Sequence, residues 1–162
     1  MAQVDYFLKI KGIDGESQDS KHKGEIDLQS FSFGATQSGT MHGGGGGGAG
    51  KVSVHDLTIL KFIDKASPKL FASCANGEHI GNAVLVCRKA GKDPMEYLTI
   101  TLTDLLISDY HTSGSSKEGI IPVDEVKLNF SKIEFMYKEQ KADGSPASQI
   151  KTWYSPKENK GG

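Results

Sequence analysis

Cysteine, tryptophan and proline are scarce in this 162-residue chain, which has two, one and five of them, and neither sign of charge is in clear excess. Cys74 and Cys87 are too few for a disulfide framework and lack the paired spacing of a zinc site, so both are expected to be plain buried thiols. No window approaches the roughly 18 uninterrupted apolar residues of a membrane span. Nineteen Lys plus Arg against twenty Asp plus Glu leave a net charge of -1, with no basic field to attract nucleic acid or an anionic membrane. Met1-Ala2-Gln3-Val4-Asp5-Tyr6 has neither the basic start nor the apolar run of a secretory signal. The chain is therefore expected to fold in the cytoplasm, and any export to use a route that reads no cleaved signal.

Strand patterns dominate what is present. Glu96 to Thr103 alternates apolar residues with Thr, placing Leu98, Ile100 and Leu102 on one face and Thr99, Thr101 and Thr103 on the other. Val126, Leu128 and Phe130 alternate in the same way. Further strands are expected over 4–11, 25–37, 52–63 and 82–89. Several strands change phase partway. Val126, Leu128 and Phe130 are even-numbered, whereas Ile133, Phe135 and Tyr137 are odd; Leu98, Ile100 and Leu102 give way to Leu105 and Ile107. A flat strand would then turn apolar side chains to water, so each flip predicts a bulge or coil that keeps them inward while the strand bends. Long, repeatedly bent strands imply a mainly β fold, a small closed β-barrel.

One helix is expected beside it. Ser67 is placed to cap it, Pro68 suits its first turn, Leu70, Phe71 and Cys74 share a face, and Gly77 can end it, making a plug over one end of the barrel. The length fits one domain over residues 1–162, with the apolar pattern fading from Gly144 onward and a frayed end at Lys160-Gly161-Gly162.

The most conspicuous segment is Ser38-Gly39-Thr40-Met41-His42, running into Gly43-Gly44-Gly45-Gly46-Gly47-Gly48 and then Ala49-Gly50-Lys51. Gly45, Gly50 and Lys51 satisfy the first part of a phosphate-binding loop, which makes a nucleotide-binding protein one alternative reading. The match fails where a magnesium-ligating Ser or Thr should follow, because Val52 stands there, and Val52-Ser53-Val54 begins a strand where a helix is needed. A connection between strands, held by a neighbouring subunit, explains the glycines better. The five histidines lie on separate segments and are expected to be solvated or hydrogen-bonded, with no metal site. Asp104, Asp109, Asp124 and Glu125 fall at strand ends where solvation accounts for them. No Gly-x-Ser-x-Gly elbow occurs, and nothing indicates catalysis. In Phe31-Ser32-Phe33, inward phenylalanines put Ser32 on the opposite face, which in an assembly could be a lumen or an interface.

Taken in order, Gly15 to His22, Gly24 to Asp27, Phe31 to Gly34, Gln37 to His42, the Gly loop with Gly50-Lys51-Val52, Ile63 to Leu70 and Ala83 to Gly91 resemble the haemolysin-coregulated protein family, the tube proteins of bacterial type VI secretion. The resemblance covers roughly residues 1–142. It implies a barrel with one flanking helix and no cofactor, six copies of which close into a ring. It further implies that rings stack into a tube inside a contractile sheath, tipped by a spike protein, with small effector proteins in the lumen. It places Ser32 on the strand that lines the channel and segment 38–51 in the long loop that reaches the adjacent subunit or the next ring. A monomeric ligand-binding barrel is the remaining alternative.

Overall fold

The computed structural model describes residues 4–39, 49–91, 94–117 and 119–162. In chain order the strands are β1 (Val4–Ile10), β2 (Ile26–Leu28), β3 (Ser30–Ser32), β4 (Ala35–Gly39), β5 (Ala49–Val54) and β6 (Leu57–Phe62). The helix α1 (Ser67–Asn76) follows, then β7 (Ile80–Lys89), β8 (Met95–Ser115), β9 (Ile120–Gln140), β10 (Pro146–Ser155) and β11 (Lys160–Gly161). The main sheet runs β11-β10-β9-β8-β7-β1-β2, all antiparallel, and β6 pairs with both β9 and β3. The fold is mainly β, a small barrel with one helix. The sheet itself is not closed, as the closed barrel expected from the sequence would require, because no ladder joins β2 to β3 or β6. β2 pairs with β1 and β3 with β6, and Gln29 between them donates its N–H to Leu60 O at 2.7 Å, so segment 26–32 spans the gap.

The phase changes read from the sequence are present, and the paired strands change together. Ile100 and Leu102 are buried, then Leu105 and Ile107; opposite them Phe130 and Leu128 are buried, then Ile133. Asp104 marks the switch. Its φ of 52° is left-handed, a conformation that Asp tolerates better than most residues. Ser131 Oγ donates to its Oδ2 across the strands at 3.2 Å. The register also shifts between Ile107 and Asp109 and between Ser113 and Ser115, and at the latter Gly114 lies against Pro122, which has no N–H to give the ladder.

Several expectations are corrected. The strands expected over 25–37 and 52–63 are each interrupted, because β4 and β5 leave the barrel near Gly34 and pair with each other as a separate ribbon. Ala66, not Ser67, caps α1, and no side chain completes the cap. Ser67 is turned inward, and its hydroxyl instead accepts from the Asp64 N–H and donates to Asp124 Oδ2. Leu70 and Ser73 share its buried face, while Phe71 is exposed and meets Tyr110 edge-on. Gly77 does end the helix, left-handed at φ 65°. Cys87 is buried, which pushes its thiol up to about 12, but Cys74 is only half-buried. The terminal Lys160-Gly161-Gly162 is not frayed: Trp153 and Gly162 exchange both backbone hydrogen bonds at 2.8 and 3.0 Å.

Asp124 is the clearest departure from the expected solvated carboxylates. It and its cross-strand partner Lys61 are both fully buried, with Lys61 Nζ 2.9 Å from Asp124 Oδ2 and 2.7 Å from Asp64 Oδ1. Burial works against the Asp124 charge, yet hydrogen bonds from Ser67 and Lys61 outweigh it and hold the carboxyl below its ordinary range. The signal was in the phase: Leu57, Ile59 and Lys61 share one face, as do Asp124, Val126 and Leu128.

Candidate functional site

Ser32 is exposed at the end of β3, with Phe31 turned the other way onto the core, edge-on to Tyr6 at 5.4 Å. Register continues its row through Thr58 on β6, Lys127 on β9 and Asp109 on β8. Beside that row Asp56 accepts from Ser108 Oγ at 2.6 Å and from Asn129 Nδ2 at 2.8 Å. Ser32 therefore belongs to a polar outer wall of alternating hydroxyl, amide and charged groups whose hydrogen bonds run along the surface.

The outer face of β1 and β7 is different. There Phe7 and Val86 are buried, and the loop over residues 11–24 lies on Phe7. His22 stacks on Phe7 at 4.2 Å, between Glu25 and Glu96 at 3.0 and 2.7 Å. Arg88 covers the same Phe7 ring and forks onto Asp19 at 2.7 and 2.9 Å, with Asp5 at 3.1 Å. The Arg88 hydrogen bonds hold the Asp19 carboxyl at about 2 and raise the guanidinium further above its already high range. The loop is thus tied down by charge-assisted bonds over an aromatic ring, which leaves the Ser32 wall as the open side.

Of segment 38–51, Ser38 and Gly39 end β4 while Ala49, Gly50 and Lys51 begin β5; Thr40, Met41, His42 and Gly43 to Gly48 lie outside the described residues. Every residue of β4 is exposed. The ribbon has two strands only, and a two-stranded hairpin is marginal in water without a partner surface. Lys51 is followed by strand as far as Val54, so no helix N-terminus stands behind it to receive a phosphate, and the nucleotide reading is not favoured.

The sequence reading also missed an uncovered apolar wing. Rows that are core in the barrel run outward onto β9 and β10: Leu8, Leu85 and Ile100 are fully buried, but Phe135 in the same row is 38% exposed. In the next row Cys87 is buried, whereas Tyr137 is 43% and Ile150 70% exposed. Phe135 and Tyr137 were expected inside, and strand alternation aims them correctly; no element of the chain described here covers them. An apolar groove of about 580 Å³ adjoins them, lined by Phe33, Ala35, Val54 and Phe135 at the base of the ribbon and by the β10–β11 hairpin. Among the described residues no three His, Cys, Asp or Glu are grouped to hold a metal ion.

A small barrel with an open polar wall, a projecting ribbon and an unpartnered apolar wing is built as an assembly subunit. The chain belongs to the family described as "Type VI secretion system effector, Hcp", which residues 7–137 match. It is 48% identical over 143 residues to protein hcp1 of Pseudomonas aeruginosa, covering 88% of each chain. The crystal structure of Hcp1 from Salmonella typhimurium superposes with a TM-score of 0.81 at 45% identity over 99% of both chains. A structure described as a type six secretion system protein reaches 0.93 at 26% identity, over 99% of this chain and 100% of that one. The chain is accordingly a structural component of the type VI secretion tube that assembles into a multimer. The family's proteins are secreted, and among the described residues no helix is long and apolar enough to cross a membrane.

Proposed function

We propose that six copies close into a ring and that rings stack into the inner tube, inside a contractile sheath and behind a spike protein. In this reading the chain folds as one domain over residues 1–162, catalyses no reaction, uses no cofactor and inserts in no membrane. It leaves the cytoplasm with the tube. The lumen carries small effector proteins.

The observation that carries the reading is the open polar wall around Ser32. A channel that must release its cargo needs a surface that holds proteins by reversible polar contacts, and an apolar wall would retain them. The ribbon supports the assembly half of the reading: a two-stranded ribbon whose β4 is exposed throughout gains stability when another surface receives it, so segment 38–51 is assigned to the adjacent subunit or the next ring.

Replacing Ser32 by Asp adds a charge on that wall without touching the core. The expected result is intact rings that co-purify with clearly less effector than the unmodified protein. Unchanged effector recovery would remove Ser32 from the lumen.

A further inference from the structure

Two groups of exposed apolar side chains stand at opposite ends of β9. One is the wing, Phe135, Tyr137 and Ile150. The other surrounds the tip of the β8–β9 hairpin, where Ile120 and Ile121 are 54% and 56% exposed. Phe62 and Ile63 extend it, because Phe62 pairs with Val123 and the Ile63 N–H donates to Pro122 O at 2.9 Å. From Ile121 to Tyr137 a straight strand would measure about 50 Å at roughly 3.3 Å per residue. The bend at Asp104 and Ser131 shortens that distance, but the tip cannot fold back over its own wing while β9 remains paired along its length with β8.

We propose that the wing of one copy receives the hairpin tip of the next. This rests on the reading of the chain as a ring subunit and assigns the surfaces that close the ring. A ring of like copies needs a heterologous contact: two different surfaces on each chain, each complementary to the other. The chain carries two unlike apolar surfaces, well separated and neither covered from within. Each would be an aggregation liability if left in water. The wing continues the core face of the sheet, so its occupant must be apolar and protruding, which the isoleucine pair at a hairpin tip is. A self-matching wing-to-wing contact would instead make a dimer and leave the tip bare.

The test uses full-length Ile121→Asp and Ile150→Asp at the concentration where the unmodified ring is intact. Each variant alone is expected to keep its circular dichroism spectrum and to run as a monomer by native mass. Mixed in equal amounts, they are expected to form a one-to-one pair that grows no further, since one variant keeps an intact wing, the other an intact tip, and the outer surfaces of the pair are both blocked. A ring from either variant alone, or no mixed pair, overturns the tip-and-wing assignment while the unmodified ring still stands. An unmodified chain that is itself monomeric at every concentration defeats the ring reading instead. Should aspartate unfold either chain, serine at the same position is expected to raise the concentration for half-assembly at least tenfold, and an unchanged value counts against the assignment.

Discussion

Lys61 carries its charge into the core, and its surroundings determine what its loss would do. Its ammonium is held by Asp124, Asp64, Ser67 and the Phe62 carbonyl. Replacing Lys61 by Met keeps the volume but leaves the Asp124 carboxylate buried beside Asp64 without a counter-charge. Removing one partner of a buried pair costs about 3–5 kcal/mol. The expected effect of Lys61→Met is therefore a loss of that size in urea unfolding of the ring-deficient, monomeric form, and a loss below about 1 kcal/mol would contradict the network. Asp19 gives a pH signature. Its folded pKa lies at about 2 instead of 3.8, so the Arg88 contact stabilises the fold fully above pH 4 and is lost as the pH falls through 2. Asp19→Asn lacks that titration. Its melting temperature is expected to fall less than that of the unmodified chain between pH 4 and pH 2; parallel curves would show that the contact is absent in solution.

At the scale of elements, the kink shared by β8 and β9 depends on Asp104 holding a left-handed backbone. Asp104→Gly removes the strain and is expected to change stability by less than about 1 kcal/mol, whereas Asp104→Val, β-branched at positive φ, is expected to destabilise by about 2 kcal/mol. Equal stability of the two variants, measured by denaturant unfolding, would mean that the bend does not depend on this residue. Shortening Gly43 to Gly48 tests the ribbon in the opposite sense. Assembly or stacking is expected to fail while the melting temperature of the single chain stays within a few degrees; tubes of normal length would disprove the ribbon's assigned role. These elements also show what period-two patterning can and cannot reveal. It located the flips between Leu102 and Leu105 and between Phe130 and Ile133 because a buried face enforces alternation; that Asp104 and Ser131 make the turn is visible only in the structure. It broke down at Phe135 and Tyr137, because alternation states which way a side chain points and not whether anything lies above it. The inward phase of Lys61 and Asp124 was readable, but their charges made the wrong environment look natural. The turn of Ser67 into the core, with Ala66 as the cap, depends on Asp124, which is 57 residues away in sequence.

The whole molecule is a barrel whose own chain leaves it incomplete: one flank is sealed by the Arg88 and His22 contacts, while the polar wall, the ribbon and the wing remain open. The fold class was legible because bent strands leave a trace in the residue phase. The role in an assembly was legible only through resemblance and the wing was not legible at all, since what covers such a surface is absent from a single chain. The measurement that bears most directly on the account is the native mass of the purified protein together with single-particle images of it. The account predicts about 104 kDa, six copies of 17.4 kDa, and particles with an open centre. A 17.4 kDa particle with no central hole at every concentration would contradict it.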